Sequence, residues 1–300
     1  MPKFNLKKID ELFTLKSEFV LASEARFKTK IEGLQKTLLD LLFSEYVVKF
    51  DVKDGVLLDN DKNVTLLAEI DKVFEKFNTN FQQSVLNGYA KDLLKITELN
   101  ADYFSQGLGF ATDVVTDIVK NKINLDDKLG FTAKGNLKRD GYLYKLGETQ
   151  PVRQELRQYV SSSLTSETSY AEYLKGFKDI VVGNENVNGS LVKYYDQYAY
   201  DSFNQHDASS GQYLAQGLGL EHFMYEGSII KTTRDFCIKR AGKVFTIKET
   251  KKWKNDPDLI DKKTKDRYKP LVERGRYRCR HFIKYITKEL YDYYIKKQAA

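Results

Sequence analysis

Apolar residues recur every seven positions near the start of the chain. Val20, Phe27, Leu34 and Leu41 mark one line of a seam, and Ile31 and Leu38 fill the alternate positions. This spacing predicts a single amphipathic helix over residues 8–46 whose stripe is buried against another helix. A second stripe of Leu66, Ile70, Val73, Phe77, Phe81, Tyr89, Leu93 and Ile96 predicts a helix over 64–99, paired with the first as a long antiparallel hairpin. Between them, Tyr46–Phe50 and Val56–Leu58 flank Asp54-Gly55, a strong turn pair, so a short β-hairpin is inserted there. The following Asp59–Asn63 alternates oxygen side chains as a calcium loop does. It lacks the glycine and glutamate such a loop requires, so it reads as a helix cap.

The pattern loosens afterwards. Gly107 and Gly109 bend the chain before an apolar segment over 111–122, and no strand or third glycine makes them a dinucleotide fingerprint. Asn121–Thr149, with Gly130, Gly135, Gly141 and Gly147, predicts a linker. Pro151 suits the first turn of a helix to Ser163, a second helix starts at Ser166 or Glu167, and Asn184–Gly189 is a polar turn. Ser190 is placed to cap a helix whose Tyr194, Tyr195, Tyr198 and Tyr213 read as packing residues more than as base-stacking ones. Gly217-Leu218-Gly219 stops that helix. Beyond it, Leu220–Tyr225 and Lys243–Ile247 predict strands, Arg234–Arg240 a short helix ended by Gly242, and Lys248–Lys254 a helical turn bearing Trp253. Phe282–Ile286 fits either a last strand or the start of a closing helix to Lys297. The fold class is mainly α with a small C-terminal α+β module. Its expected divisions are a helical-hairpin domain over 1–122, a Gly-rich linker over 123–149, a helical segment over 150–219 and a basic module over 220–300.

Composition sharpens this picture in one respect. The net charge of +7 is unevenly spread: residues 228–300 hold 22 Lys and Arg against 9 Asp and Glu, a net of +13, whereas residues 1–227 hold 27 against 33, a net of −6. A basic module on a mildly acidic body suits contact with nucleic acid or an acidic protein surface. Hydrophobic content of 41% with 4 prolines supports folded cores. No apolar run is long enough for a membrane span or a signal peptide, which leads to an expectation of synthesis in a cytoplasm.

The candidate chemistry lies in two short segments. Thr233-Arg234-Asp235-Phe236-Cys237 runs into Gly242-Lys243-Val244-Phe245, and Gly275-Arg276-Tyr277-Arg278-Cys279-Arg280-His281 follows Trp253. They hold both cysteines and one of the 3 histidines. Cys237, Cys279 and His281 are open to three readings: buried thiols that clamp the segments together, a disulfide, or metal ligands. A zinc site takes four donors, and Arg240 stands where a second cysteine would complete Cys-x-x-Cys, so His222 or Asp235 would have to supply the fourth. No oxyanion-hole motif accompanies the Cys and His residues, so no catalytic residue is assigned and the chain is expected not to be an enzyme. Arg274, Arg276, Arg278 and Arg280 recur with period two. In an extended segment they would share one face, fit for phosphate, for a partner subunit, or for the acids of Asp256–Asp261.

Taken together, Arg-x-x-Cys, Gly-Lys-x-aromatic, Trp253 and Cys-Arg-His resemble the C-terminal signature of the phage Mu F-like minor head proteins, with Arg234, Gly242, Lys243 and Trp253 as signature positions. The resemblance covers roughly residues 150–287 and is strongest from Arg234 to His281. Many members carry a fuller Cys-x-x-Cys set; this chain has the reduced form, and Tyr194–Ala199 lacks an Arg-Thr-Glu element found in others. The resemblance implies a virion protein of a tailed phage acting in head morphogenesis. Its implied partners are the portal protein and the procapsid or major capsid proteins, with packaged double-stranded DNA and its ejection as further candidates. It implies a location inside the capsid or at the portal vertex, after synthesis in the bacterial host. The alternative is a nucleic-acid-binding accessory protein or a metal-dependent nuclease; no cofactor is expected, with zinc the exception to test.

Overall fold

A computed structural model describes residues 5–123, 129–130, 132, 138, 141–166, 168–260, 266–276 and 278–299, with the side chains of 197–201 excluded. The protein is mainly helical, with a small α+β module built on a three-stranded sheet. Its compact units are interleaved along the sequence. Unit 1 takes residues 1–23, 92–125 and 200–300, and unit 2 takes 24–91 and 126–199. The expected sequential blocks differ from this division because the boundaries at 23, 91 and 199 fall inside long helices: α1 (Leu6–Glu45), α3 (Gln83–Asp102) and α8 (Ser190–Gly217).

In unit 2 the predicted helical hairpin forms. Phe27 of α1 meets Tyr89 of α3 with ring centroids 4.9 Å apart, and Glu45 pairs with Lys76 of α2 (Asp61–Phe77), so the helices run antiparallel. Phe27, Ile31, Leu34 and Leu38 are buried as the stripe predicts. At the end of the stripe Leu42 is buried in preference to Leu41, because 3.6 residues per turn drift against a strict seven-residue repeat. The second stripe breaks at Phe81, which is 37% exposed while Gln82 is fully buried. Asn78–Gln82 is a π-helical turn, and its extra residue rotates the face so that Gln82 points inward and donates to the Tyr195 hydroxyl.

The inserted hairpin pairs β1 (Val52–Lys53) with β2 (Val56–Leu57) across Asp54 and Gly55, both at positive φ as such a two-residue turn requires. The Tyr46–Phe50 stretch expected to be its first strand instead follows the end of α1 and holds a 3₁₀ turn, Val47–Lys49, between Tyr46 and Phe50. Asn60 caps α2 by accepting from the Asn63 amide, and the buried Asn63 side chain bonds both the N–H and the C=O of Asp51 and the C=O of Leu58. The cap and the hairpin are therefore one hydrogen-bonded structure.

The predicted linker is partly structured. After α4 (Thr112–Ile118), Tyr142–Glu148 forms a helix, α5, with Leu143 and Leu146 buried, whereas Gly135 and its neighbours lie outside the described residues. Pro151 sits in the first turn of α6 (Gln150–Thr165). Helix α7 (Tyr170–Val182) starts at Ser169, which accepts from the Glu172 amide, later than the Ser166 start expected; Glu167 lies outside the described residues. The polar turn is a small hairpin of β3 (Gly183–Asn184) and β4 (Val187–Asn188). Ser190 is the first residue of α8 and not its cap, and its hydroxyl shares its single proton between the Glu155 carboxylate and Ile180 O. Among the tyrosines of α8, Tyr195 is buried as expected and Tyr213 is exposed.

Unit 1 closes α8 with Gly219 at φ 69°, its amide and that of Leu220 bonding back to Gln216 and Ala215. The chain then enters β5 (His222–Glu226), the central strand of an antiparallel sheet ordered β6 (Val244–Thr246), β5, β7 (Phe282–Ile286). A strand is thus the outcome for Phe282–Ile286, with the short helix α10 (Pro270–Glu273) before it and helix α11 (Lys288–Ala299) beginning after it. Phe13 of α1 packs edge-on against Tyr103 and Phe282, and the Tyr103 hydroxyl donates to Tyr285 O at 2.6 Å. No helix among the described residues is long and apolar enough to cross a membrane.

Candidate functional site

The two rare-residue segments meet on the central strand of unit 1. Arg234 caps the short helix α9 (Asp235–Ile238), its carbonyl accepting from Cys237 and Ile238, while its guanidinium reaches Gly275 O at 3.1 Å. Gly242, at φ 74°, turns the chain into β6, and the pairing runs on through Gly242 N to Tyr225 O and Tyr225 N to Lys243 O. The Lys243 side chain is exposed. Thr246 and Glu249 form a capping box that starts the 3₁₀ segment Ile247–Asn255. This segment carries Trp253 inward, where it meets the rings of Phe223, Tyr225, Phe236 and Phe245 edge-on at 5.4–5.9 Å.

Arg240, which displaces a second cysteine in the sequence, has a structural place. Its guanidinium lies 3.7 Å from the Phe236 ring centroid and 4.8 Å from that of Trp253, donates to Phe236 O and pairs with Asp256. Lys239 pairs with Asp258. These acids therefore serve the α9 end and not the four-arginine stripe; Asp261 lies outside the described residues.

Cys237, Cys279 and His281 are 2%, 4% and 3% exposed. The sulfurs are 3.7 Å apart, too far for a disulfide bond of about 2.05 Å, and both cysteines are free thiols. The Tyr225 hydroxyl lies 3.3 Å from Cys237 Sγ and 3.5 Å from Cys279 Sγ, and His281 Nδ1 lies 3.9 Å from Cys279 Sγ. The imidazole stacks on the Tyr225 ring at 5.2 Å, with its Nε2 buried and without a hydrogen-bond partner. The thiols titrate as a pair. The hydrogen bond from Cys237 holds Cys279 below the usual thiol range, aided by His281, the Arg274 guanidinium and the Tyr225 hydroxyl; that same bond and burial push Cys237 up. Burial also pushes the Tyr225 phenol well above its usual value. Backbone crowds the group from outside: a Cβ on Gly275 would collide with Cys237 Sγ, and one on Gly227 would collide with the His281 ring.

Neither proposed fourth donor joins this group. His222 packs its ring 4.5 Å from that of Tyr291, Asp235 is exposed, and among the described residues the cluster of metal-ligating side chains consists of Cys237, Cys279 and His281. Tyr225 is the member that sequence reasoning missed, since one tyrosine among 20 carries no signal of its own.

The arginine stripe does not form as predicted. Arg274, Arg276 and Arg278 have φ of 50°, 65° and 54°, and successive hydrogen bonds (Arg274 N to Pro270 O, Arg276 N to Glu273 O, Cys279 N to Arg276 O) coil the segment into tight turns. An extended strand would have put the four guanidinium groups on one face. Here Arg274 and Arg276 are buried and Arg278 and Arg280 are exposed, with Tyr277 outside the described residues. Arg274 donates to Asn204 O at 3.4 Å, and Arg276 lies 4.9 Å over the Tyr268 ring. Arg278 and Arg280 line a cleft of about 1030 Å³ that also reaches Arg234, Cys237 and His281.

No family model matches this chain, and no curated protein or solved structure matches it.

Proposed function

We propose that this chain is a minor head protein of a tailed phage that acts in head morphogenesis without catalysing a reaction. The observation that carries the reading is the convergence of the signature: Arg234, Trp253, Cys279 and His281, from stretches far apart in sequence, meet around one buried cluster on one sheet, and Gly242 turns the chain into a strand of that sheet. A spacing that describes a single folded module is a stronger basis for resemblance than scattered identities. In this reading the helical hairpin docks on portal or procapsid proteins, and the basic module lies near packaged DNA, with Arg278 and Arg280 among its exposed cations. The protein is then made in the bacterial host and resides inside the capsid or at the portal vertex.

The test is co-expression with the portal and major capsid proteins of the same phage, followed by purification of procapsids and virions. The chain is expected to co-purify with procapsids; its absence from both particles overturns the reading. A metal-dependent nuclease would need His281 to reach a phosphodiester, and its ring is buried against Tyr225. Incubation with plasmid and Mg²⁺, Mn²⁺ or Zn²⁺ should leave the DNA intact, and nicking abolished by His281→Ala would favour the nuclease instead.

A further inference from the structure

Four heteroatoms from three separate stretches of chain gather inside unit 1: the sulfurs of Cys237 and Cys279, Nδ1 of His281 and the oxygen of Tyr225. The three Cys and His donors lie within 4.8 Å of one another. Around a tetrahedral Zn²⁺ with Zn–S of about 2.3 Å and Zn–N or Zn–O of about 2.0–2.1 Å, the S···S edge is about 3.8 Å and the S···N and S···O edges about 3.5 Å. Four of the six edges are 3.7 Å for S···S, 3.3 and 3.5 Å for S···O, and 3.9 Å for the Cys279–His281 S···N, and the second S···N edge is within 4.8 Å. Simple apolar packing of two thiols would place no such requirement on a phenol and an imidazole.

We propose that Cys237, Cys279 and His281 bind one Zn²⁺, with the Tyr225 oxygen at the fourth corner. Two thiolates neutralise the divalent charge, and the sulfur and imidazole donors suit a borderline-soft ion. Gly275 and Gly227 lay bare backbone against the sulfurs and the imidazole, which fixes the ligands from behind. The cleft that reaches Cys237 and His281 supplies an entry path. The ion would tie α9, β5 and the start of β7 into one unit, a structural staple that does not depend on the head-protein reading.

The full chain, purified under reducing conditions, is loaded with Zn²⁺ alone, dialysed and assayed by mass spectrometry for metal content. One zinc per chain is expected, together with a fall in the unfolding temperature on chelation. Substitution with Co²⁺ is expected to give sulfur-to-cobalt charge-transfer bands and the intense visible absorption of a tetrahedral site. Cys279→Ser should weaken Zn²⁺ binding by more than the roughly 10–100-fold that outer-shell changes cost. Tyr225→Phe should keep the metal and shift the visible cobalt bands. Reduced, folded wild-type protein that holds no zinc, or that shows no charge-transfer band with cobalt, overturns the proposal without recourse to any variant. A cobalt spectrum unchanged by Tyr225→Phe removes Tyr225 from the ligand set.

Discussion

The interiors of the two units differ in what they bury besides apolar side chains. In unit 2 the buried polar residues described are Gln35, Asn63, Gln82, Thr149, Ser163 and Ser190, all neutral. In unit 1 they include Lys16, Asp207, Arg240, Arg274, Arg276 and Lys284. Two of the neutral groups satisfy backbone: Asn63 ties a hairpin to a helix start, and Gln35 donates to Val182 O and accepts from the Val192 amide. Several of the charged groups are held in ion pairs. Lys16 pairs with Asp207 at 3.0 Å, with Asn100 bonding both, and Lys284 pairs with Asp10 and Glu226. A buried neutral group costs about 1–3 kcal/mol when left unsatisfied, whereas a buried charge stripped of its partner costs about 3–5 kcal/mol. A single polar substitution is thus expected to do most harm in unit 1, which also holds the thiol and imidazole cluster.

The sharpest way to break this contrast is Lys16→Met. It strands the Asp207 carboxylate, 2% exposed at its side chain, and is expected to lower stability by about 3–5 kcal/mol in urea unfolding, while Lys16→Met with Asp207→Leu recovers most of the loss. In unit 2 the matching change is Asn63→Ala, expected to cost about 2–3 kcal/mol through the backbone groups of Asp51 and Leu58 that it leaves. Should Asn63→Ala prove the more damaging of the two, the contrast is wrong. Arg240→Lys keeps the charge beside Asp256 but loses the planar stack on Phe236 and Trp253, for an expected cost of about 1–2 kcal/mol.

The smallest effect is a pH dependence at His222. Burial, followed by the nearby Lys288 cation, depresses its folded pKa below the ordinary 6.5. The unfolded chain then binds the proton more readily, so this contribution to stability is full above pH 6.5 and declines as the pH falls through that value. Unfolding temperatures of wild type and His222→Gln, compared between pH 7.5 and 5.5, should show a steeper decline for wild type; parallel curves would remove His222 as a source of acid sensitivity.

Much of unit 2 was readable in advance because helix periodicity there reports burial directly. The reading failed where backbone geometry changed the period: a π turn substituted Gln82 for Phe81, and no residue type announces such a turn. In unit 1 the gathering of Cys237, Cys279 and His281 was legible from their rarity. The period-two arginines imitated a strand, yet left-handed turns at Arg274, Arg276 and Arg278 divided them between interior and surface. The Lys16–Asp207 pair was invisible, since neither residue carries a local sign that it lies inside.

The interleaving of the units has a consequence during synthesis. Phe13 finds Tyr103 and Phe282 as its ring partners, so the α1 face of Ile9, Phe13 and Val20 belongs to a core completed by residues translated much later. At about 5–20 residues per second, a ribosome leaves that apolar face waiting for on the order of ten seconds or more. Throughout that interval the nascent chain presents a natural substrate for chaperones, and unit 2, whose segments end at Ala199, is free to fold first.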